Sequence, residues 1–431
     1  MQPPYVLYGR ILNPVSAKRV EYITDAAIAV GEDGRIAFAG PVAELPESVS
    51  HYPKRTTECL ITPGFIDLHT HVPQLHARGR CEETLLAWLE RHIFPAEERF
   101  NDPVVSRNVS RAFFAQLASN GTTAVSAYSN SSPESTAIAF EEAERSGIRT
   151  CMGMMLMDRN GTPGLDRPPG KALEESESLV RTWHRKSARL EYAVSPRFAI
   201  ACSPELLHGA AELAARHDCY IQTHLNEQPG EVAETLRLFP NAKHYTDVYD
   251  EAGLLGPRTI LGHGIHMREE ELALLAVRGC SVAHCPDANL FLGSGRFPIE
   301  RYAEHGIPYG LGSDVGAGTS LSMQHVMKSM SHVQGMALPA ELVFYTATLG
   351  NARALGKQEM LGSLETGKEA DFVLHDTSIF LPQESPLNPS AETLVELFVH
   401  LGSANQIAAT VVAGEAVYTA DSGFSYLSDL S

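Results

Sequence analysis

His69 and His71 stand one residue apart in PGFIDLHTHVPQL (63–75), at the end of the apolar run Phe65, Ile66 and Leu68. In a β-strand, residues i and i+2 face the same way, so the two imidazoles would stand side by side as a chelating pair. With eighteen histidines in 431 residues, one H-x-H pair is expected by chance. A metal site must therefore draw further ligands from elsewhere, each from the end of its own strand.

Such residues recur. Arg197 ends LEYAVSPRF, His224 and Glu227 end YIQTHLNE, and His263, His284 and Asp314 close TILGHG, SVAHCP and PYGLGSDV. Apolar strands that each end in a titratable group suit a central polar site and are avoided in an ordinary core. Three histidines and a carboxylate form a nitrogen and oxygen set suited to Zn²⁺, or to Fe²⁺. His69, His71, His224 and Asp314 are expected to hold one metal ion, with water completing the shell. A metal lowers the pKa of water from 15.7 toward about 7 to 9 and leaves a base to finish the deprotonation. Asp314 is the candidate base, Glu227 a proton carrier over the substrate, and His263 a partner for the water or the developing oxyanion. His284 is expected in the core or in support of the site, and Cys285 in packing.

The elements that must position these groups alternate. Eight strand-like runs (64–71, 122–129, 149–156, 190–198, 220–227, 259–264, 281–286 and 308–315) are separated by segments of helical periodicity, such as 205–217 and 268–279. Strand and helix in alternation argue for a parallel sheet, and eight units for a closed (β/α)8 TIM-like barrel, whose active site lies at the C-terminal strand ends. An open doubly wound sheet gives the same alternation, but the polar residues at the strand ends favour the barrel. The barrel is expected over 63–361. Residues 1–62 and 362–431, rich in alternating strands and Gly-containing turns, are expected to form a small β-sandwich domain built from both termini. TPGLDRPPG (162–170) reads as a loop after the third strand and a candidate lid.

The bulk composition narrows the partners. The 34 basic and 52 acidic residues leave a formal charge of −18, which opposes nucleic acid and suits a small, near-neutral substrate. Seven cysteines form no C-x-x-C and fit reduced thiols. The N-terminal stretch has neither a basic nor an apolar leader pattern, and no run of about 18 apolar residues occurs, so a cytoplasmic location without membrane contact is expected. GSLETGKE (362–369) misses a phosphate loop because Glu369 stands where a hydroxyl is required, and is expected to be a β-turn. Neither the P-C-x-x-C of the compact zinc deaminases nor a G-x-S-x-G elbow is present.

On these residues the chain resembles the amidohydrolase superfamily. PGFIDLHTH, THLNE, LGHG and GSDVGAG look like the signatures of its strands one, five, six and eight, and GSLETGKEADFVLHD is similar to its C-terminal β-domain hallmark. The likeness narrows to the branch that deaminates guanine through HTHVPQ (69–74), LLAWLERHIFPAEERF (85–100), MDRNGTP (157–163), SPRF (195–198), HLNE (224–227), VYD (248–250) and HCPDANLFLGSG (284–295). It covers nearly the whole chain.

The resemblance implies zinc on His69, His71, His224 and Asp314, and proton transfers by Glu227, His263 and Asp314. It implies that Gln74, Arg197 and Phe198, with Glu227 and His263, hold the purine, and that the protein is a homodimer. The implied reaction is hydrolytic: water adds at C2, Glu227 protonates a ring nitrogen, and the tetrahedral adduct expels ammonia to give xanthine. Related two-metal hydrolases carry a carboxylated lysine late on strand four; LEYAVSPRF has none, which favours a single ion. Two stretches depart from the pattern, LHARGRCEE (75–83) and SAYSNSSPES (126–135), and both are candidates for lining the pocket. They leave a pterin, or another 2-amino heterocycle such as a modified purine, as the alternative substrate. A non-catalytic barrel scaffold is the alternative of a different class; such proteins lose metal ligands, and all four are present here.

Overall fold

The computed structural model describes residues 1–335, 338–378, 381 and 389–424. Eight parallel strands pair in chain order: Phe65–His71, Thr122–Tyr128, Arg149–Gly153, Leu190–Pro196, Tyr220–Leu225, Thr259–His263, Ser281–His284 and Tyr309–Leu311. They are buried along nearly their whole length, as a parallel sheet covered by helices requires. Several crossover helices open with a side-chain cap followed by proline. Asp102, Ser132 and Ser203 accept backbone N–H groups at the starts of Pro103–Ser119, Pro133–Ser146 and Pro204–His217.

The barrel closes between its last and first strands mostly through side chains. Asn351 donates to the carbonyls of Ile66 and Leu311, the latter at 2.9 Å, and accepts the Leu311 N–H at 2.6 Å. Asp67 accepts the Ser313 N–H at 2.9 Å and its hydroxyl at 2.5 Å, and the Asp314 N–H donates to the His69 carbonyl at 2.8 Å.

The eighth strand is shorter than PYGLGSDV suggests. Asp314, with φ of 45°, turns the chain into the left-handed region just past Gly312, so it stands in the loop beyond the strand end. His263 (φ 70°), the last residue of strand six, and Asn226 (φ 51°), just past strand five, do the same. Such conformations cost about 1 to 3 kcal/mol each and persist where surrounding structure holds them.

The β unit expected from both termini is present. Its eight strands form one mixed sheet in which Phe372–His375 lies antiparallel to Lys54–Pro63, so that the two ends of the chain are neighbours. Alternate residues feed two apolar clusters, Tyr5, Leu7 and Ile28 on one face and Val6, Ala27 and Ala29 on the other. Arg149 of the barrel ties the two parts with ion pairs of 2.7 Å to both Glu369 and Asp371. GSLETGKE is a turn, closed by the Lys368 N–H on the Glu365 carbonyl at 3.1 Å.

Candidate active site and metal centre

The first strand delivers His69 and His71 to the C-terminal mouth of the barrel, with ring centroids 5.2 Å apart and planes at 81°. His224 arrives from strand five and Asp314 from the loop after strand eight. The space around His69 depends on glycine. A Cβ at Gly262 would lie 2.7 Å from His69 Cε1, and one at Gly312 would lie 2.7 Å from His69 Cβ.

The donor atoms converge. His71 Nε2 is 3.2 Å from His224 Nε2 and 3.4 Å from Asp314 Oδ1, and His69 Nε2 is 3.5 Å from the same oxygen. Ligands at about 2.1 Å in a tetrahedron stand about 3.4 Å apart, so these separations match a shared ion. Hydrogen bonding agrees. His224 Nδ1 lies 2.6 Å from the Arg197 carbonyl, which places its proton there and its lone pair at Nε2, while buried His69 Nε2 has no hydrogen-bond partner. Burial holds all three imidazoles neutral, His71 down at about 4 and His69 and His224 also lowered. For Asp314 burial acts upward, but the facing His69 and His71 imidazoles outweigh it and hold the carboxyl well below its usual range. The cluster fits a divalent cation.

The remaining candidates surround the same point. His263 Nε2 stands 3.4 Å from Glu227 Oε2 and 3.8 Å from Asp314 Oδ2, and its Nδ1 is 2.9 Å from Asn289 Oδ1. Burial, reinforced by the Asp314 charge, pushes Glu227 up to about 8, against a hydrogen bond from Ser294 Oγ at 3.2 Å. A cavity of about 380 Å³ opens above, lined by His71, Gln74, Arg197, Phe198, His224, Glu227, His263 and Asp314, with Leu85, Trp88, Leu89, Leu292 and Ala317 as apolar walls. Every site residue named from the sequence lies at this mouth. His284 does not line the cavity: it is fully buried and stacked on Phe297 at 4.5 Å.

Several contributors escape sequence reasoning. Leu85, Trp88 and Leu89 lie in a covering segment that starts at the Thr84 cap and widens into a π turn, Leu89–Ile93. Pro95 has no N–H to offer the preceding turn, which accounts for the widening. The next helix, Phe94–Arg99, carries Glu97, which is 1% exposed and bonded to Gln74 and Arg197. The motif FPAEERF was legible but not which of its charges is buried. Gln228 ties the Leu85 N–H to the Leu292 carbonyl and the Ser294 hydroxyl.

Two expectations need correction. Neither 75–83 nor 126–135 contributes a residue to the cavity wall. The second stretch supports the site from behind instead: the Tyr128 ring stacks on His71 at 4.7 Å, and Asn130 donates to the Glu97 carbonyl at 3.1 Å. The loop 162–170 does not line the cavity either; it is anchored by Asn101 on the Gly164 carbonyl at 3.1 Å and by the Arg167 N–H on the Met157 carbonyl at 3.0 Å. The cover over the site is 85–93.

A model of the amidohydrolase family matches residues 60–417. The chain is 37% identical to guanine deaminase of Escherichia coli (strain K12), over 93% of each chain, and 30% identical to guanine deaminase of Mus musculus, over 96% of this chain and 97% of that one. Among solved structures, guanine deaminase from C. acetobutylicum with bound guanine in the active site superposes with a TM-score of 0.90 at 28% identity, covering 96% of this chain and all of that one.

Proposed function

The chain belongs to the amidohydrolase family, and from that membership we propose that it deaminates guanine hydrolytically to xanthine and ammonia. It is a metal-dependent aminohydrolase, and His69, His71, His224 and Asp314 would hold one ion, assigned as zinc. The observation that carries this reading is one cavity holding both the neutral-histidine cluster and the acceptor and donor groups of Gln74 and Arg197 beside the Phe198 ring. An ion held by these four residues would supply Lewis acidity, bringing water within reach of deprotonation near neutral pH.

The remaining chemistry belongs to the side chains. Asp314 directs Oδ1 at His69 and His71 and Oδ2 toward His263, so one carboxylate can serve as ligand and as the base that takes a proton from the attacking water. Glu227 keeps its proton at neutral pH and delivers it to the ring nitrogen beside C2 as the adduct forms. His263, fixed through Nδ1 by Asn289, holds the adduct oxygen at Nε2. Arg197 and Gln74 bind the polar edge of the purine, Phe198 packs on its face, and Leu85, Trp88 and Leu89 exclude water.

The pterin alternative drew on 75–83 and 126–135, and the cavity wall gives it no support. Also part of this proposal are the division into residues 1–62 and 362–431 around a catalytic barrel at 63–361, a homodimer, and cytoplasmic purine breakdown; the seven free thiols accord with the last. Ammonia release from guanine, adenine, 8-oxoguanine and pterin, with metal content determined on the same sample, tests the whole. Fast release from guanine with about one ion per chain is expected. Release only from another heterocycle moves the substrate, and no release with no metal returns the barrel to the scaffold reading.

A further inference from the structure

Glu97 lies behind the cavity wall, buried among residues that do face the substrate. Its Oε1 accepts Gln74 Nε2 at 2.9 Å and its Oε2 accepts Arg197 Nη1 at 2.5 Å. Its backbone is held in turn by Asn130 Nδ2, 3.1 Å from the Glu97 carbonyl. A carboxylate paired with a guanidinium can only accept, so the Gln74 atom that meets it must be the amide nitrogen. The Gln74 carbonyl is thereby turned the other way. It stands against Gly316, next to the cavity-lining Ala317, where a Cβ would come within 2.1 Å of Oε1.

Arg197 is oriented by the same helix. Its described side-chain contacts end on Nη1, at Glu97 and at Met155 Sδ (2.8 Å), and its guanidinium lies 5.1 Å over the Phe94 ring. Nη2 and Nε are left for the cavity. On this side the pocket therefore offers an acceptor, from Gln74, beside donors from Arg197.

We infer that Glu97, which touches no substrate, is a positioning residue that sets this polarity and so selects a purine presenting C=O beside a ring N–H. The inference rests on the reading that the substrate is a 2-aminopurine held by Gln74 and Arg197. Guanine offers that pattern at C6 and N1. The compound 2,6-diaminopurine carries the same amine at C2 but an amino group at C6 and a bare N1, the reverse pattern. A site built to hydrogen-bond one pattern rejects the other because its buried groups are left unpaired.

The test compares kcat/KM for guanine and 2,6-diaminopurine. Ammonia release from guanine by the unaltered protein comes first; its absence would sink the functional reading before this one is reached. With guanine turned over, the unaltered protein is expected to prefer it by about 10⁴. In Glu97→Gln the amide at 97 can donate to the Gln74 carbonyl, so Gln74 can turn over. The preference should drop about a hundredfold, mainly through a higher KM for guanine. Glu97→Asp, which still only accepts, should keep most of the preference. An unchanged preference in Glu97→Gln, with melting temperature and metal content intact, would overturn the inference. If Glu97→Gln does not fold, Gln74→Met takes its place: loss of the preference is expected, and a retained preference overturns the claim that the Gln74 carbonyl reads the substrate.

Discussion

The proton on Glu227 makes the mechanism sensitive to alkali in a way that can be worked out beforehand. Burial and the Asp314 charge raise its carboxyl to about 8, so about nine-tenths of molecules carry the proton at pH 7 and about one-tenth at pH 9. An unshifted glutamate would hold it in well under about 1% at pH 7. If Glu227 is the acid, kcat/KM for guanine falls along an alkaline limb, approaching about tenfold per pH unit beyond a midpoint of about 8. Where a bound cation offsets the Asp314 charge the midpoint lies somewhat lower, burial being the larger cause of the rise. Ser294 donates to the carboxylate and favours its charged form, so Ser294→Ala should move the limb to higher pH. The assay is initial-rate ammonia release at constant ionic strength and saturating metal. A profile flat from about pH 6 to 9.5, or a limb that Ser294→Ala leaves in place, would refute the assignment. Stability carries the opposite mark. Below the unfolded value of 4.5 both states hold the proton; above it the unfolded chain releases the proton while the fold retains it, so stability falls up to the folded value of about 8. Glu227→Gln escapes this loss and should gain more in melting temperature at pH 8 than at pH 5.

Asp314→Asn should abolish turnover while circular dichroism and melting stay near those of the parent, since the amide keeps the shape but neither takes the proton nor supplies the charge facing His69 and His71; residual activity within about tenfold would remove Asp314 as the base. Gly262→Ala would set a methyl 2.7 Å from His69 Cε1 and tilt that ring, so bound metal should fall well below one ion per chain with little loss of helix signal. Asn351→Ala leaves the carbonyls of Ile66 and Leu311 and the Leu311 N–H unpaired at the barrel seam, and should lower stability by about 3 kcal/mol or more in denaturant unfolding; a loss under about 1 kcal/mol would show that the seam is held by other contacts.

What the sequence could reveal depended on whether a residue's role followed from its own strand. His69 and His71 were legible because a period of two sets both on one face at a strand end, and His224, His263 and Asp314 because each closes an apolar run. The eight strands were legible for the same reason, although the last was read too long: Gly312 and a left-handed aspartate follow its end, and nothing local shows that Asp314 takes that conformation. Glu97 and Asn351 were not legible because their roles are defined by partners far away in the chain. Glu97 lies 100 residues from Arg197, and Asn351 lies 285 from Ile66. In FPAEERF, three charges in a row on a short helix read as a solvated face, and only the packing of that helix against the turn carrying Gln74, with Arg197 as ion-pair partner, buries the first of them. Residues that do chemistry must reach the mouth from a strand end and so betray themselves in a pattern. Residues that orient them can come from any element packed behind, which is why selectivity in this site is harder to read than catalysis.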